Sequence, residues 1–489
     1  MIALSSKTLQ KKDVATAILF LFEGLLLLLM TLAFWYDNTI RPMYFSLFWL
    51  AIPIFIMRWH LTGRLWTHTI LHDLLIVFIL LMALNYTYAP FQKESFLAAA
   101  ARPLSGTWTF VYFVELARTS KRLDIVLIVM LGMSFILACV ALSTSQWLQE
   151  KTGFLWLLTD YLPRVDYRLL ANQVDRVVCS PIVTLVEVSG CFNFAEVIRK
   201  GYFSFNVNEI AGALVWIAPV LAGITITPNP TKDNQAIRMP ARAWMIIRLI
   251  AGLGFGIALI ALVFGQSRFA MIGLLIALSI LVYGATDNPR LRLIGWSGIA
   301  LILILQALLF FNVFSPTSTE ATSVGISTRD ENSVNTRLQI WDRGLTMMTD
   351  YPMTGIGMYM FRTAVAQNPY VIPYFAERNN PPPHAHNEWF HMGAEMGIFG
   401  LMLFCAMQVA ALRMVWVGWR QGDAIIRMIA LSAFAGLLAH AIYGIGDTIA
   451  LWDRFQFVLW WVLGLVGAQY VLAMLHAEYL INDMTIENI

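Results

Sequence analysis

The chain is built from unbroken apolar blocks of about twenty residues, the length that crosses the hydrocarbon core of a bilayer. No other feature restricts its fold as much. Inside lipid every backbone amide and carbonyl must be satisfied by the chain itself, so such blocks are expected to be helices. About twelve candidate spans lie near 14–35, 43–58, 69–89, 97–117, 123–142, 207–227, 243–264, 268–285, 291–313, 391–416, 424–446 and 455–475. The fourth is interrupted near its start by Arg102 and Pro103, and only Gly265, Gln266 and Ser267 separate the seventh from the eighth. Composition agrees, with 58% hydrophobic and 13% charged residues, where a soluble domain carries about a quarter charged. The expectation is an all-α integral membrane protein with about 12 transmembrane helices. A net charge of +3 gives no reason to expect a nucleic-acid partner.

Charge placement sets the orientation. With the N-terminus in the cytoplasm, the inner segments hold Lys7, Lys11, Lys12, Arg58, Arg64, Arg118, Lys121, Arg122, Lys232, Arg238, Arg242, Arg290, Arg292, Arg413 and Arg420. The short outer loops hold Arg41, Lys93 and Arg454. This is a positive-inside pattern, and an even number of spans returns the C-terminus to the cytoplasm. No small-x-small site follows Phe34-Trp35-Tyr36, so a cleavable signal peptide is not expected. The chain thus divides into helices 1–5 (1–142), an extracytoplasmic segment (143–206), helices 6–9 (207–313), a large extracytoplasmic loop (314–390), and helices 10–12 with a cytoplasmic tail (391–489).

Both outer segments exceed what a connection needs, and long loops in compact proteins usually carry function or are disordered. In the first, Phe154-Leu155-Trp156-Leu157-Leu158 has the character of an interfacial helix. The second opens with a Ser/Thr-rich linker (315–328) and ends at Pro381-Pro382-Pro383, a rigid break before the tenth span. Cys139 and Cys405 read as packing residues within spans. Cys179 and Cys191 share the first outer segment, where they either pair or stay as two thiols. No zinc spacing, P-loop or nucleotide-binding glycine fingerprint occurs.

Histidine and arginine at the outer face carry the chemistry. The densest stretch is Pro383-His384-Ala385-His386-Asn387-Glu388-Trp389-Phe390-His391. Unperturbed histidine titrates near pH 6.5, so His386 can take a proton from an incoming hydroxyl. Taken alone, it reads more simply as an interfacial histidine satisfied by water. Arg268 opens the eighth span with no acid beside it, and Arg337, Trp341 and Arg343 precede Tyr351-Pro352-Met353-Thr354-Gly355-Ile356-Gly357. Arginine at membrane depth is costly and faces a cavity or a partner. Its planar fork matches phosphate oxygens, so several around one histidine suggest a phosphate-bearing substrate. For Arg343, headgroup anchoring is the simpler reading.

His386-Asn387, followed after nine residues by Gly397-Ile398-Phe399-Gly400, resembles the His-[Asn/Ser/Gln]-x9-Gly-x-x-Gly signature of the O-antigen ligase superfamily. That superfamily also holds Wzy-type polysaccharide polymerases and bacterial protein O-oligosaccharyltransferases. The resemblance extends through Arg337-x-x-x-Trp341, Tyr351-Pro352-x-x-Gly355-x-Gly357, Phe361, Ser267-Arg268 and, more loosely, Asn206 to Ala211, including Asn208. It covers the C-terminal half; the family often has Gly, Thr or Tyr where this chain has Leu401. It implies a GT-C-like membrane fold with a long extracytoplasmic loop before the tenth helix. It also implies a metal-independent inverting glycosyltransferase working in cell-surface polysaccharide (lipopolysaccharide) assembly.

The implied donor is an undecaprenyl-diphosphate-linked glycan, and the partners are membrane lipids and a lipid or glycan acceptor, with no cofactor and no metal. The implied location is the bacterial inner membrane, with the site on its periplasmic face. Carried over by position, Arg268 and Arg337 hold the diphosphate and His386 is the catalytic base. His384, Asn387, Arg343, Trp341 and Asn208 support them, and Gly355, Gly357, Gly397 and Gly400 shape the backbone. Two alternatives stand beside the ligase: a Wzy-type polymerase whose acceptor is a second lipid-linked repeat unit, and a transporter of lipid-linked glycan.

Helical spacing adds further expectations. Gly397 follows His386 by eleven residues, almost three turns, which on a continuous helix puts both on one side. Gly393 and Gly397 are four apart, a spacing that admits a second helix. His391 and Glu395 pair at i,i+4. Glu23, Asp73, Glu115 and His440 orient neighbours within spans, and Asp447, Asp453 and Arg454 line an acceptor cavity at the outer end of the last two spans.

Overall fold

The computed structural model describes residues 2–35, 41–91, 96–118, 120–144, 146–147, 151–152, 207–227, 239–265, 267–286, 288–310, 325–376, 381–449 and 455–486. Helices dominate. The first five are α1 (Ile2–Trp35), α2 (Arg41–Thr62), α3 (Ile70–Tyr88), α4 (Phe96–Ala117) and α5 (Ser120–Thr144). A two-residue antiparallel pair follows, β1 (Gln146–Trp147) with β2 (Lys151–Thr152). Then come α6 (Val207–Ile226), α7 (Ala241–Gly265), α8 (Arg268–Ala285) and α9 (Pro289–Phe310). The large loop contributes α10 (Gly325–Asp350) and the single turns α11 (Phe361–Ala364) and α12 (Pro373–Ala376). The chain closes with α13 (Glu388–Gln421), α14 (Ala424–Gly446) and α15 (Gln456–Ile486).

Each predicted span falls on a helix. Among the described residues nine of those helices are long and apolar enough to cross a membrane; α2, α4 and α9 do not meet that measure. The protein is an all-α integral membrane protein on this basis, and the described residues account for nine of the about twelve expected spans by this measure.

Burial shows which helices form the centre. The spans of α6, α14 and α15 are 83, 72 and 83% buried, whereas those of α1 and α3 are each 33% buried and turn Ile18, Leu21, Leu25 and Leu28, and Ile76, Leu80 and Leu84, outward. In lipid such outward side chains meet acyl tails, so helices gain their specific contacts from close approach instead. Glycines provide it: a Cβ on Gly436 would lie 2.4 Å from the Trp216 carbonyl oxygen, and one on Gly273 would lie 2.3 Å from that of Ala439. Thus α14 lies tight against both α6 and α8.

Several details differ from the sequence expectations. The stretch 315–328 is not linker throughout, because α10 takes in residues 325–328. Cys405 is exposed on α13 and Cys139 half-buried on α5. The 154–158 stretch, Cys179, Cys191, Asp453 and Arg454 lie outside the described residues. Arg58, counted above among cytoplasmic loop charges, is inside the bundle: it pairs with Glu23 of α1 and Glu115 of α4, all three side chains being at most 3% exposed. Glu115 also accepts the Thr67 amide and faces Arg118 at 3.7 Å. A buried charge is tolerable only when so paired.

Candidate active site

Three helices converge on His386. The Pro381–Pro383 break delivers the chain to Asn387, which caps α13: its Oδ1 accepts the Phe390 amide at 3.0 Å. The other end of the same carboxamide donates to the Ile445 carbonyl at 3.0 Å, tying the start of α13 to the end of α14. From α10, the Trp341 indole donates to the His386 carbonyl at 3.1 Å. Held from both sides, His386 sits at φ 48°, in the left-handed region that a non-glycine residue enters only under such constraint.

The imidazole meets Asp447, the residue that ends α14. His386 Nδ1 lies 3.0 Å from Asp447 Oδ1, which also accepts the Thr448 amide at 2.9 Å. Burial alone would raise the Asp447 pKa, but the His386 charge and hydrogen bond, His384 and the Thr448 amide outweigh it and lower the value from 3.8 to about 2. The carboxylate is therefore ionised across the neutral range. A carboxylate facing Nδ1 fixes that nitrogen as donor and leaves the lone pair on Nε2. The His386 side chain is 22% exposed, open enough for its second nitrogen to meet a ligand.

His384 is held differently. Its Nδ1 accepts the His386 amide at 3.3 Å and lies 3.8 Å from Asp447 Oδ1, beyond hydrogen-bond range. Burial, foremost, and then the charge of His386 hold its pKa well below the ordinary range; Asp447 opposes them, while His391 and Arg337 add to the lowering. His384 is a neutral prop for the His386 backbone. His384, His386 and Asp447 place three ligand atoms within 4.8 Å of one another, a set that can hold a metal ion. The 3.0 Å approach of His386 to Asp447 is nonetheless hydrogen-bonding distance, shorter than the roughly 3.3 Å between neighbouring ligands of a tetrahedral zinc.

The arginines lie around this dyad unequally. Arg337 is one turn before Trp341 on α10, half-buried, and close enough for its charge to act on His384. Among the described residues, no hydrogen bond or ion pair engages its guanidinium. Arg268 is exposed at the first position of α8. That end of α8 abuts the end of α14, since a Cβ on Gly446 would meet the Phe269 ring at 2.0 Å. Asn208, near the start of α6, joins the same end of the bundle: its carbonyl accepts the Tyr443 hydroxyl at 2.8 Å, one turn before Asp447. Arg343 is not brought in and faces its neighbour Asp342 at 3.6 Å.

The glycines have a different task from the one helical spacing predicts. α13 is not continuous: Gly397 has φ 67° and ψ −169°, and the helix breaks there. His386 lies before the helix and Gly397 at its fracture, so the eleven-residue periodicity does not relate them. The loop 352–358 fills the fracture, with Ile356 N–H donating to the Ala394 carbonyl at 2.8 Å and Ile398 N–H donating to that of Pro352 at 2.7 Å. A Cβ on Gly397 would stand 2.6 Å from the Met353 carbonyl oxygen, and one on Gly355 would stand 2.4 Å from the Glu395 carbonyl carbon. A Cβ on Gly357 would stand 2.1 Å from the Phe91 carbonyl oxygen, whereas one on Gly400 would meet only Met396 of its own helix, at 2.2 Å. Gly393 faces Met348 of α10 and so does admit a second helix. Gly397→Ala is expected to destabilise the protein by at least about 1–3 kcal/mol, because that conformation belongs to glycine. An unchanged melting temperature in detergent, with unchanged activity, would show the fracture to be dispensable.

Beneath the fracture, Glu395 does more than pair with His391. The two stand 3.7 Å apart, while the carboxylate accepts the amides of Tyr359 and Phe361, each at 2.9 Å. His440 Nε2 is 3.1 Å from Glu388 Oε2, without hydrogen-bond geometry, while its Nδ1 is 3.2 Å from the Gly212 carbonyl oxygen. Sequence reasoning placed Asp447 at the outer end of its span but did not join it to His386, 61 residues earlier. Its only signal was an acid at a span end. Asn85 of α3, which reaches the fracture from the first half of the chain, carried none.

A search among curated proteins returns no match. Residues 253–405 match the family model described as O-antigen ligase, a stretch that contains Arg268, Arg337, His386 and Gly397 and omits Asn85, Asn208 and Asp447. Such domains belong to membrane glycosyltransferases of the ligase and polymerase type in polysaccharide assembly. The match covers under a third of the chain and supports the likeness of this segment to the O-antigen ligase/Wzy superfamily.

Proposed function

We propose that the protein transfers a glycan from undecaprenyl diphosphate to a hydroxyl acceptor, with inversion and without a metal, as an O-antigen ligase does. The observation that carries this reading is the His386–Asp447 hydrogen bond, which leaves Nε2 as an accessible base. In the step, the acceptor oxygen attacks the anomeric carbon from the face opposite the diphosphate. The carbon–oxygen bond to phosphorus breaks, its electron pair leaves with undecaprenyl diphosphate, and the acceptor proton passes to His386 Nε2. Asp447 steadies the imidazolium so formed. Arg337 and Arg268 offset the charge that grows on the departing diphosphate, the role other enzymes give to a divalent ion. The bias of Lys and Arg toward the opposite loops supports a periplasmic site on the inner membrane.

Reconstitution with a purified undecaprenyl-diphosphate-linked repeat unit tests this. Transfer to an added lipid or core-oligosaccharide acceptor, undiminished by EDTA, is the expected result. Loss in EDTA restored by Mg²⁺, Mn²⁺ or Zn²⁺ would instead assign a metal to His384, His386 and Asp447. A ladder of lengthened lipid-linked glycan without other acceptor would identify a polymerase. Movement of the lipid across the bilayer with no new glycosidic bond would identify a transporter.

A further inference from the structure

The fracture in α13 creates a bonding problem that a residue from the other half of the chain solves. In an unbroken helix the Glu395 carbonyl would accept from the amide four residues on. At the fracture it accepts instead from the Gly357 amide at 3.1 Å and from Asn85 Nδ2 at 2.8 Å. The same Nδ2 donates to the Thr354 carbonyl at 2.5 Å, and Asn85 Oδ1 accepts the Met358 amide at 3.0 Å. Asn85 is buried, and its carboxamide is committed on both sides to backbone of the fracture and its filling loop. Backbone from the same region joins in, with Phe91 N–H donating to the Ile356 carbonyl at 3.1 Å.

A carboxamide is the side chain this place requires. It supplies donors to two carbonyls and an acceptor to one amide; a carboxylate lacks the donors, and an apolar side chain takes this partner from the Thr354 carbonyl and the Met358 amide and leaves the Glu395 carbonyl to the Gly357 amide. The segment it anchors, Glu388 to Met396, is the short helix whose leading end carries Asn387 and His386. Displacing the foot of that helix moves its head.

We infer that Asn85 is a positioning residue of the transfer reaction, setting from α3 the height of the half-helix that presents His386. The inference rests on the transfer reading given above. It also makes α3, outside the matched segment, part of the working unit.

Asn85→Asp in the full-length protein is the decisive variant, because its carboxyl donates only when protonated. In detergent or proteoliposomes, at about pH 8, kcat is expected to fall by roughly 10- to 100-fold while the donor KM stays within about twofold. Burial raises the pKa of the new carboxyl above the ordinary carboxylate range, so the ratio of variant to wild-type kcat is expected to climb as pH falls to about 5.5. The ionisable groups near Asn85 are Glu395 and His391 on α13, Tyr359 on the loop and Arg102 on α4, which bonds the Tyr359 hydroxyl. Each is present in both proteins, so wild type measured across the same pH range is the control for them. A pH-independent ratio, a wild-type kcat, or a loss confined to KM overturns the inference. If the Asp variant does not accumulate, Asn85→Ala decides by the same division: lowered kcat at constant KM supports the role, and wild-type kcat removes it. Failure of the transfer reading itself is distinguishable, since wild type and His386→Ala would then behave alike.

Discussion

His386→Ala is expected to lower kcat for glycan transfer by about 10²–10⁴-fold, the range that a positioned general base contributes. Nothing in the fold depends on the imidazole to the same degree. The turn at this position is held through the His386 backbone, by the Trp341 indole on its carbonyl and by His384 on its amide. Asn387 carries the cap of α13 independently. The variant should therefore accumulate normally and bind donor with an unchanged KM, the signature of an interaction made only in the transition state. Its residual rate should rise with pH as hydroxide takes over the proton. A normally abundant His386→Ala protein working at wild-type rate would remove the base from the mechanism. If His384→Ala then proved inactive, the role would pass to that residue.

Asp447→Asn is the second large effect expected, again about 10²–10⁴-fold in kcat. An amide can donate to Nδ1, which drives the proton to Nε2 and abolishes the lone pair that faces the acceptor. The change is isosteric, so Asp447→Asn tests tautomer control with little disturbance of packing. Asp447→Glu should recover part of the loss, because it restores a carboxylate. Since the folded-state pKa of about 2 lies below the ordinary 3.8, the ionised form stabilises the fold above that ordinary value. This contribution disappears only as pH falls toward the lowered one. Assays between about pH 5 and 8 leave the wild-type carboxylate charged, so an acidic limb of the rate profile in that range does not belong to Asp447. An Asn variant within about twofold of wild type would show that the 3.0 Å contact is incidental.

How much of this was legible beforehand follows from which forces act locally. The apolar blocks read directly as helices because lipid leaves the backbone no alternative. His386, Asn387, Trp341 and Arg337 were legible through local spacing and family resemblance, and α10 and α13 do bring them to one place. Asp447 was legible only as an acid at a span end. Its tie to His386 spans 61 residues and depends on α13 packing on α14, which no short-range pattern encodes. Gly397 shows the opposite failure. Its position was plain, yet reading it with a 3.6-residue period presumed an intact helix, and the actual conformation at φ 67° destroys that period. Asn85 was hidden for the same reason: its partners are carbonyls and an amide exposed by a fracture that the sequence does not announce.

The paired charges at the far end of α4 bear on how the protein is made. Arg102 reaches the Tyr359 hydroxyl near one end of that helix, and Glu115 lies thirteen residues on, about 20 Å away along the axis. Glu23 sits within the first apolar span, where a lone charge costs roughly 2.5–3.5 kcal/mol to insert. Its counter-ion, Arg58, belongs to the next helix synthesised, and Glu115 and Arg118 arrive two helices later to complete two acids against two bases. Translation order is therefore expected to set the assembly order, with α1 gaining its electrostatic partner when α2 joins it as a hairpin and α4 adding the second acid on arrival. Arg58→Ala would take the counter-ion from Glu23 and leave Glu115 to Arg118 and the Thr67 amide, and its expected consequence is faulty membrane integration and early degradation, well before any defect in chemistry could be measured.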